Sequence, residues 1–187
     1  SATIVLSINF ATVFAAPVSP RPWDEYLSGT NLRDRAVSSA EAAILVDANS
    51  GRILFGKRST YVMEPASITK VMTAILAIEN SSMTDIITID NTMAEIIMTL
   101  DDASMCGFQK NESVYMEDLL YGLLLLSGAD AAIAIAIHVG GTYDNFIQMM
   151  NDKAAELGMT KTVYKNPHGL HESGHVTCAE DMAKLAQ

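Results

Sequence analysis

Residues 65–78 read PASITKVMTAILAI and combine a Ser-x-x-Lys tetrad with an apolar run of the kind that forms a buried helix. Pro65 suits a chain that is about to enter a helix. If Ser67 lies in the first turn, Lys70 follows three residues later on the same helix face, so the two side chains can meet. The helix is predicted to end near residues 80–82, where Asn and Ser replace the apolar run.

The pairing of Ser67 with Lys70 has a chemical interpretation and a structural one. A serine hydroxyl becomes a good nucleophile when a nearby base takes its proton, and a lysine can be that base only if burial or positive charge lowers its pKa. A serine at a helix start also lies close to backbone N–H groups that favour the oxyanion formed by attack. The tetrad alone also fits an N-capping serine followed by a solvated lysine.

The composition of the 187 residues indicates a globular protein of one domain, or of one large and one small lobe. Hydrophobic residues make up 49% of the chain and charged residues 18%, which argues against a disordered chain. The formal net charge is -10. Because phosphate binding needs clustered Lys and Arg, this balance argues against nucleic acid as a partner.

Residues 1–16 (SATIVLSINFATVFAA) are apolar and end in small residues, which predicts a signal peptide that lacks its positively charged start. An ordinary strand or helix is the alternative. Residues 17–39 are rich in Pro, Ser, Gly and charge and predict a linker or N-terminal arm, so the domain proper is expected at 40–187. Export would place the chain in an oxidising space, where Cys106 and Cys178 could pair; two buried thiols are the alternative.

Periodicity and turn residues divide the domain into short strands and longer helices. A turn at residues 48–51 between two apolar runs predicts a β-hairpin. Residues 91–112 show no clear period and are predicted to be mainly loop. A capping box at residues 177–180 predicts the start of the last helix. The other predicted elements are strands at 42–47, 52–56 and 85–90 and helices at 116–126, 129–138 and 142–158.

Residues 119–139 are long and apolar enough for a transmembrane helix to be considered. Ser127 and Gly128 interrupt the run, and the carboxylate of Asp130 would be costly at bilayer depth. Two core helices joined by a tight polar turn are therefore predicted. At that turn the Ser127 side chain can face a cleft, which makes it a candidate partner for Ser67 and Lys70.

Three stretches carry a resemblance to one enzyme family: PASITKVMTA at 65–74, EDLLYGLLLLSGADAA at 117–132 and NPHGL at 166–170. In this order and in these apolar contexts they resemble the serine-type D-alanyl-D-alanine carboxypeptidases of the penicillin-binding protein superfamily, peptidase family S11. The resemblance extends over residues 40–186. It implies an α+β fold of the β-lactamase/transpeptidase type, with a helical lobe and an antiparallel sheet whose C-terminal strands are missing from this chain.

The resemblance also implies a role for each residue that matches a family motif. Ser67 would be the acylated nucleophile, Lys70 the general base and Ser127 the proton relay, with Gly128 and Ala129 at substrate-binding positions. The expected substrate is a peptidoglycan stem peptide ending in D-Ala-D-Ala, and β-lactams would acylate the same serine. No metal or other cofactor is implied. The expected location is secreted, in the periplasm or on the outer face of a bacterial envelope, with membrane association only through parts not in this chain.

The chain departs from the family pattern in two motifs. The second motif is Ser-x-Asn in the family, whereas Ala129 occupies its third position here. Asp130 follows and is interpreted as a helix-cap carboxylate. The third motif, Lys-Thr-Gly, does not occur: residues 161–163 read Lys-Thr-Val and precede the NPHGL segment, whereas the family motif follows it. We therefore predict that the natural chain continues past Gln187 with strands that pair with the hairpin.

Two other functions remain open on sequence grounds. A non-catalytic cell-wall-binding or regulatory protein is favoured by Ala129 and by the missing third motif. A serine β-lactamase shares Ser-x-x-Lys, but the Ser-Asp-Asn and Glu-x-x-Leu-Asn sequences of class A enzymes do not occur in the chain. The histidines at 168, 171 and 175 match no zinc spacing, so His168 is predicted to be a packed, hydrogen-bonded loop residue.

Overall fold

The computed structural model describes residues 3–8 and 40–187. The predictions of an arm at 17–39 and of a cleaved segment within 1–16 fall mostly outside these residues and stay predictions. The chain divides into two compact units, Ser1–Tyr61 with Cys178–Gln187 and Val62–Thr177. The elements in chain order are strands β1 (Thr3–Ile8), β2 (Ala42–Asp47) and β3 (Ile53–Lys57), a 3₁₀ turn (Ala66–Ile68), helix α1 (Thr69–Asn80), strand β4 (Ile86–Thr88), helix α2 (Asn91–Ile97), strand β5 (Ser113–Tyr115), and helices α3 (Met116–Leu125), α4 (Ala129–Gly140), α5 (Tyr143–Glu156) and α6 (Ala179–Leu185).

The first unit contains a three-stranded antiparallel sheet in the order β1-β2-β3. The predicted hairpin is confirmed as β2 and β3, with an irregularity in register between Leu45 and Val46. The turn between these strands closes at Gly51, whose φ of 69° suits a residue without a Cβ. β1 pairs with the other edge of β2, which agrees with the strand alternative for that part of residues 1–16. α6 packs on β1 and β2.

The second unit is built around α4, a helix of alternating alanine and isoleucine that is buried from Ala129 to Ala136. A helix that is apolar on all sides is stable only in the centre of a bundle. Accordingly α4 contacts α1, α2, α3 and α5. The small alanine side chains let these neighbours approach closely, while fully buried Ile133 and Ile135 fill the space between them. This packing holds the buried N-terminal end of α4 next to α1.

The structure corrects three predictions about local elements. Residues 91–112 are not only loop: they include α2, whose N-cap Asp90 accepts a hydrogen bond from the Met93 N–H at 2.8 Å. Three-residue β5, which pairs with β4, was also missed. The capping box at 177–180 is wrong, because the N-cap of α6 is Cys178 and the buried Thr177 hydroxyl bonds Thr162 instead, at 2.8 Å.

The apolar run at residues 119–139 is divided between α3 and α4, as the polar turn at Ser127 and Gly128 predicts. Within residues 3–8 and 40–187, no helix has the length and apolar character needed to cross a membrane. The helices predicted at 116–126 and 142–158 are confirmed as α3 and α5, and the helix predicted from Ser67 to residues 80–82 is confirmed as α1, with Ser67 in the 3₁₀ turn just before it.

Candidate active site

Ser67 lies in the single 3₁₀ turn that precedes α1. Ala66 before it has a φ of 50°, a left-handed conformation that is rare for a residue with a Cβ. The backbone of Gly169 lies directly against this turn, where a Cβ would overlap the Ala66 carbonyl oxygen and come within 3.0 Å of Ser67 N. The NPHGL segment thus holds the backbone of Ser67 from outside the helix, and only glycine fits at position 169.

The structure brings the three predicted catalytic side chains together. Lys70 Nζ lies 3.3 Å from Ser67 Oγ, as the spacing of the tetrad predicts. The Ser127 hydroxyl reaches the same Ser67 Oγ at 3.1 Å, although the two serines are 60 residues apart in the chain. Ser67 therefore has an amine on one side and a second hydroxyl on the other, an arrangement that could move a proton to and from Ser67 Oγ.

Lys70 is only 4% exposed. Its ammonium donates a 2.6 Å hydrogen bond to the His168 carbonyl oxygen. Burial lowers the pKa of Lys70 to about 8, against a smaller opposing effect of the Cys106 thiol. A lysine with this pKa is partly neutral near physiological pH, so it meets the requirement for a general base that an exposed lysine fails. The interpretation of a solvated lysine is wrong.

A polar face of α1 explains how the NPHGL segment is positioned. Thr69, Lys70 and Thr73 are all buried, in a helix that is otherwise apolar on its inner side. The Thr73 hydroxyl donates to the Pro167 carbonyl oxygen at 2.7 Å, and Thr69 Oγ1 lies 2.8 Å from His175 Nε2. Together with the bond from Lys70, these contacts tie residues 167–175 to α1, the helix that follows Ser67.

Ser127 connects α3 to α4 and has a φ of 58°. This left-handed conformation turns the chain sharply between the two helices and directs the hydroxyl to Ser67. Gly128 is the N-cap of α4, and Ala129 is its first residue, 2% exposed. Both residues are buried, so the methyl group of Ala129 is not accessible to a substrate in this structure. The substrate-binding roles of Gly128 and Ala129 stay predictions.

Asp130 lies in the first turn of α4 and is 1% exposed. Its carboxylate accepts backbone N–H bonds from Cys106 at 2.9 Å, Gly107 at 2.8 Å and Phe108 at 3.2 Å. The interpretation of Asp130 as a helix cap is therefore incomplete: it also accepts from Ala131 N, but its main partners belong to a distant loop. Asp130 holds that loop at the N-terminal end of α4, beside Ser127. The spacing of residues in the sequence gives no indication of this contact.

The two cysteines are thiols in the structure. Cys106 is half-buried, and its sulfur occupies the space that a Cβ at Gly122 or Gly128 would fill. Burial first, and then the Asp130 carboxylate, raise the pKa of this thiol to about 11. Cys106 is consequently a neutral packing residue beside Lys70 and has little nucleophilic character.

His168 is confirmed as a packed, hydrogen-bonded loop residue: it is 5% exposed and accepts from Leu170 N. Burial is the main reason why the pKa values of His168 and His175 are lowered to about 4, so both rings are neutral. Exposed His171 lies 2.7 Å from Glu64. In the part of the chain that the structure describes, no group of three or more His, Cys, Asp and Glu side chains could hold a metal ion. Sequence analysis missed the His168 carbonyl as a partner of Lys70, because a backbone atom leaves no trace in residue type.

The helical unit, with a serine, a buried lysine and a second serine in contact, defines a protein of the penicillin-binding fold. The chain belongs to the D-alanyl-D-alanine carboxypeptidase family, peptidase family S11, whose family model matches residues 30–187. The family and the α+β fold predicted from the sequence are thereby confirmed.

Curated relatives carry the same family name. The chain is 35% identical over 148 residues to D-alanyl-D-alanine carboxypeptidase DacF of Bacillus subtilis (strain 168), covering 79% of this chain and 38% of that protein. It is 34% identical over 154 residues to D-alanyl-D-alanine carboxypeptidase DacC of Escherichia coli (strain K12), with the same coverage. The chain thus spans 38% of the length of these curated relatives.

Solved structures give the same result. D-alanyl-D-alanine carboxypeptidase DacD from Francisella tularensis matches with a TM-score of 0.72 and 35% identity, over 79% of this chain and 36% of that one. Penicillin binding protein 5 from Haemophilus influenzae matches with a TM-score of 0.73 and 31% identity, over 79% of this chain and 44% of that one.

Proposed function

We propose that the chain is part of a serine D-Ala-D-Ala carboxypeptidase, which removes the terminal D-alanine from peptidoglycan stem peptides through an acyl-enzyme. The observation that carries the proposal is the contact of Ser67 Oγ with both Lys70 Nζ and Ser127 Oγ, at 3.3 and 3.1 Å. Membership of the carboxypeptidase family supplies the substrate class. β-Lactams, which carry a reactive amide carbonyl, are the corresponding covalent inhibitors of Ser67.

In the first half of the reaction, Ser67 Oγ attacks the carbonyl carbon of the penultimate D-alanine. Neutral Lys70 takes the hydroxyl proton, which its lowered pKa of about 8 permits. Backbone N–H groups at the 3₁₀ turn are the candidate donors to the oxyanion. When the tetrahedral intermediate collapses, the C–N bond breaks, and a proton passes from Lys70 through the Ser127 hydroxyl to the amine of the departing D-alanine.

In the second half, water attacks the ester on Ser67. Lys70 and Ser127 take a proton from the water and return one to Ser67 Oγ, so that the free serine and a shortened peptide are formed. Because Lys70 is buried, water solvates its charged form poorly, so the neutral amine remains accessible during the cycle. Because the substrate belongs to the cell wall, we also propose an extracytoplasmic location for the protein.

Intact mass spectrometry of the protein with and without a penicillin tests the proposal. We expect one penicilloyl adduct per chain, located on Ser67 by peptide mapping. The adduct should be absent from Ser67→Ala and present in Ser173→Ala, which removes an exposed serine of the same unit. Release of D-alanine from a D-Ala-D-Ala peptide should require the same residue. Peptide binding without an adduct or turnover would instead favour the non-catalytic wall-binding protein that Ala129 suggests.

A further inference from the structure

The turn that carries Ser127 is closed by one carbonyl group of α3. The Gly122 carbonyl oxygen accepts hydrogen bonds from Leu126 N at 3.3 Å and from Gly128 N at 3.1 Å. Ser127 lies between these two donors with a φ of 58°, and its hydroxyl reaches Ser67 Oγ at 3.1 Å. The distance between the two serine oxygens therefore depends on how Gly128 is held against the end of α3.

The sulfur of Cys106 occupies the space beside both glycines of this turn. A Cβ at Gly122 would lie 2.6 Å from Cys106 Sγ, and a Cβ at Gly128 would overlap it. Neither glycine is needed for its backbone conformation, since Gly122 lies inside α3 and Gly128 has a φ of -62°. Both positions thus leave room for the sulfur, which lies against the chain on either side of Ser127.

The loop that carries this sulfur is fastened to α4. Cys106 N and Gly107 N donate to the Asp130 carboxylate at 2.9 and 2.8 Å. Ala129 N donates to the Ser104 carbonyl oxygen at 2.8 Å. Because these bonds fix the backbone of Cys106, a change in the volume of its side chain is transmitted to the turn that it touches. Burial raises the pKa of the thiol to about 11, so near neutral pH the sulfur acts through its volume and carries no charge.

We infer that Cys106 is a positioning residue for the proposed reaction: its sulfur, seated between the two glycines, holds the turn in the form that brings the Ser127 hydroxyl to Ser67. This inference rests on the proposed function, in which the Ser127 hydroxyl passes a proton. A sulfur that only fills space would change the stability of the protein and leave the reaction rate alone. A sulfur that positions Ser127 changes the rate only while the Ser127 hydroxyl is present.

An exchange of volume between Gly122 and Cys106 tests the inference, with the rate of penicilloyl adduct formation on Ser67 as the measurement. Gly122→Ala should slow adduct formation by about tenfold or more, because its Cβ meets the sulfur at 2.6 Å whereas ordinary contact begins near 3.4 Å. The next neighbours of that Cβ, two ring atoms of Phe108, lie at an ordinary 3.6 Å, so the overlap is with the sulfur alone.

Cys106→Ala should also slow adduct formation by about tenfold, since the turn loses the sulfur that supports it. Combining Cys106→Ala with Gly122→Ala should return the rate to within about threefold of the wild type. The reason is that the new methyl group fills the space that the sulfur left, so the two changes are strongly non-additive.

Two measurements separate positioning from packing. In the Ser127→Gly chain, which has no hydroxyl to position, Cys106→Ala should change the rate of adduct formation by less than about twofold. Cys178→Ala is the matched control, because it removes a buried thiol from the other unit, and it should acylate within about threefold of the wild type. Thermal unfolding of each variant shows that the measured rates are those of folded protein.

Adduct formation at the wild-type rate in Gly122→Ala or in Cys106→Ala would overturn the inference. So would a loss of rate in Cys106→Ala that persists without the Ser127 hydroxyl. If Gly122→Ala does not fold, a double variant no faster than Cys106→Ala would overturn the inference instead. An adduct on wild-type Ser67 together with any of these results rejects the positioning role and retains the carboxypeptidase, whereas no adduct on the wild type rejects the proposed function and the inference with it.

Discussion

Replacing Gly169 with alanine should slow the acylation of Ser67 by about a hundredfold. The new Cβ would overlap the Ala66 carbonyl oxygen and lie 2.5 Å from its carbonyl carbon. Ordinary van der Waals contact begins near 3.4 Å, so the two backbones must separate by about 1 Å. A displacement of this size at the reacting group costs about 10²-fold in rate. The φ of 85° at position 169 adds about 1 kcal/mol of backbone strain for a residue with a Cβ.

The rate of penicilloyl adduct formation, followed by mass spectrometry, measures this effect. Gly174→Ala is the matched control, because Gly174 has a φ of 83° and its nearest neighbour, Lys165 Cε, lies at an ordinary 3.5 Å. The control should lose a similar 1 kcal/mol of stability to backbone strain and acylate within about threefold of the wild type. If Gly169→Ala acylated as fast as Gly174→Ala, the contact with Ala66 could not be what positions the nucleophile.

Three further predictions concern the same site. Acylation should accelerate about tenfold per pH unit up to about pH 8 and then level off, because only neutral Lys70 accepts the Ser67 proton; a flat rate profile from pH 6 to 8 would exclude Lys70 as the base. Asp130→Ala should lower the free energy of unfolding in urea by about 3 kcal/mol, since three backbone N–H groups lose their acceptor, and a loss below about 1 kcal/mol would show that these bonds do not hold the loop in place. Ser127→Gly removes the hydroxyl and eases a φ of 58°, so the protein should fold normally while adduct formation slows by about 10²-fold; an unchanged rate would remove Ser127 from the proton path.

The sequence contained enough information for the long elements and for the choice of Ser67, Lys70 and Ser127 as candidate site residues. The Ser-x-x-Lys spacing predicts the contact of Ser67 with Lys70, because helix geometry alone sets it. The contact of Ser127 with Ser67 depends on tertiary packing, so the sequence offered Ser127 only as a candidate at a polar turn, to which the motif resemblance added a role. Short elements such as α2 and β5 were missed, since three to seven residues carry too little periodicity to stand out from a loop.

The rest of the site could not be predicted because it depends on backbone atoms. The His168 carbonyl that binds Lys70 and the N–H groups that bind Asp130 would be present whatever side chains stood there. The overlap of Gly169 with Ala66 is likewise a matter of distance between chain segments far apart in sequence. One weak signal existed: Thr69, Lys70 and Thr73 are polar residues in a run that is otherwise apolar, and all three prove to bind the 167–175 segment.

The burial of Lys70 lowers the stability of the folded protein while giving the lysine the lowered pKa that the proposed reaction needs. Its pKa is about 8 in the folded protein and 10.5 by reference in the unfolded chain, so between these values the unfolded state binds more protons and the free energy of unfolding rises with pH. Below pH 8 Lys70 is protonated in both states, and the buried ammonium lowers the free energy of unfolding by about 3 kcal/mol. Replacing Lys70 with an apolar residue would regain part of this free energy of unfolding. The gain would be reduced because the His168 carbonyl oxygen would lose its hydrogen-bond donor. If Lys70 is the proposed base, selection for heat resistance alone would favour proteins that cannot acylate Ser67, and a screen for stable variants has to measure acylation together with melting temperature.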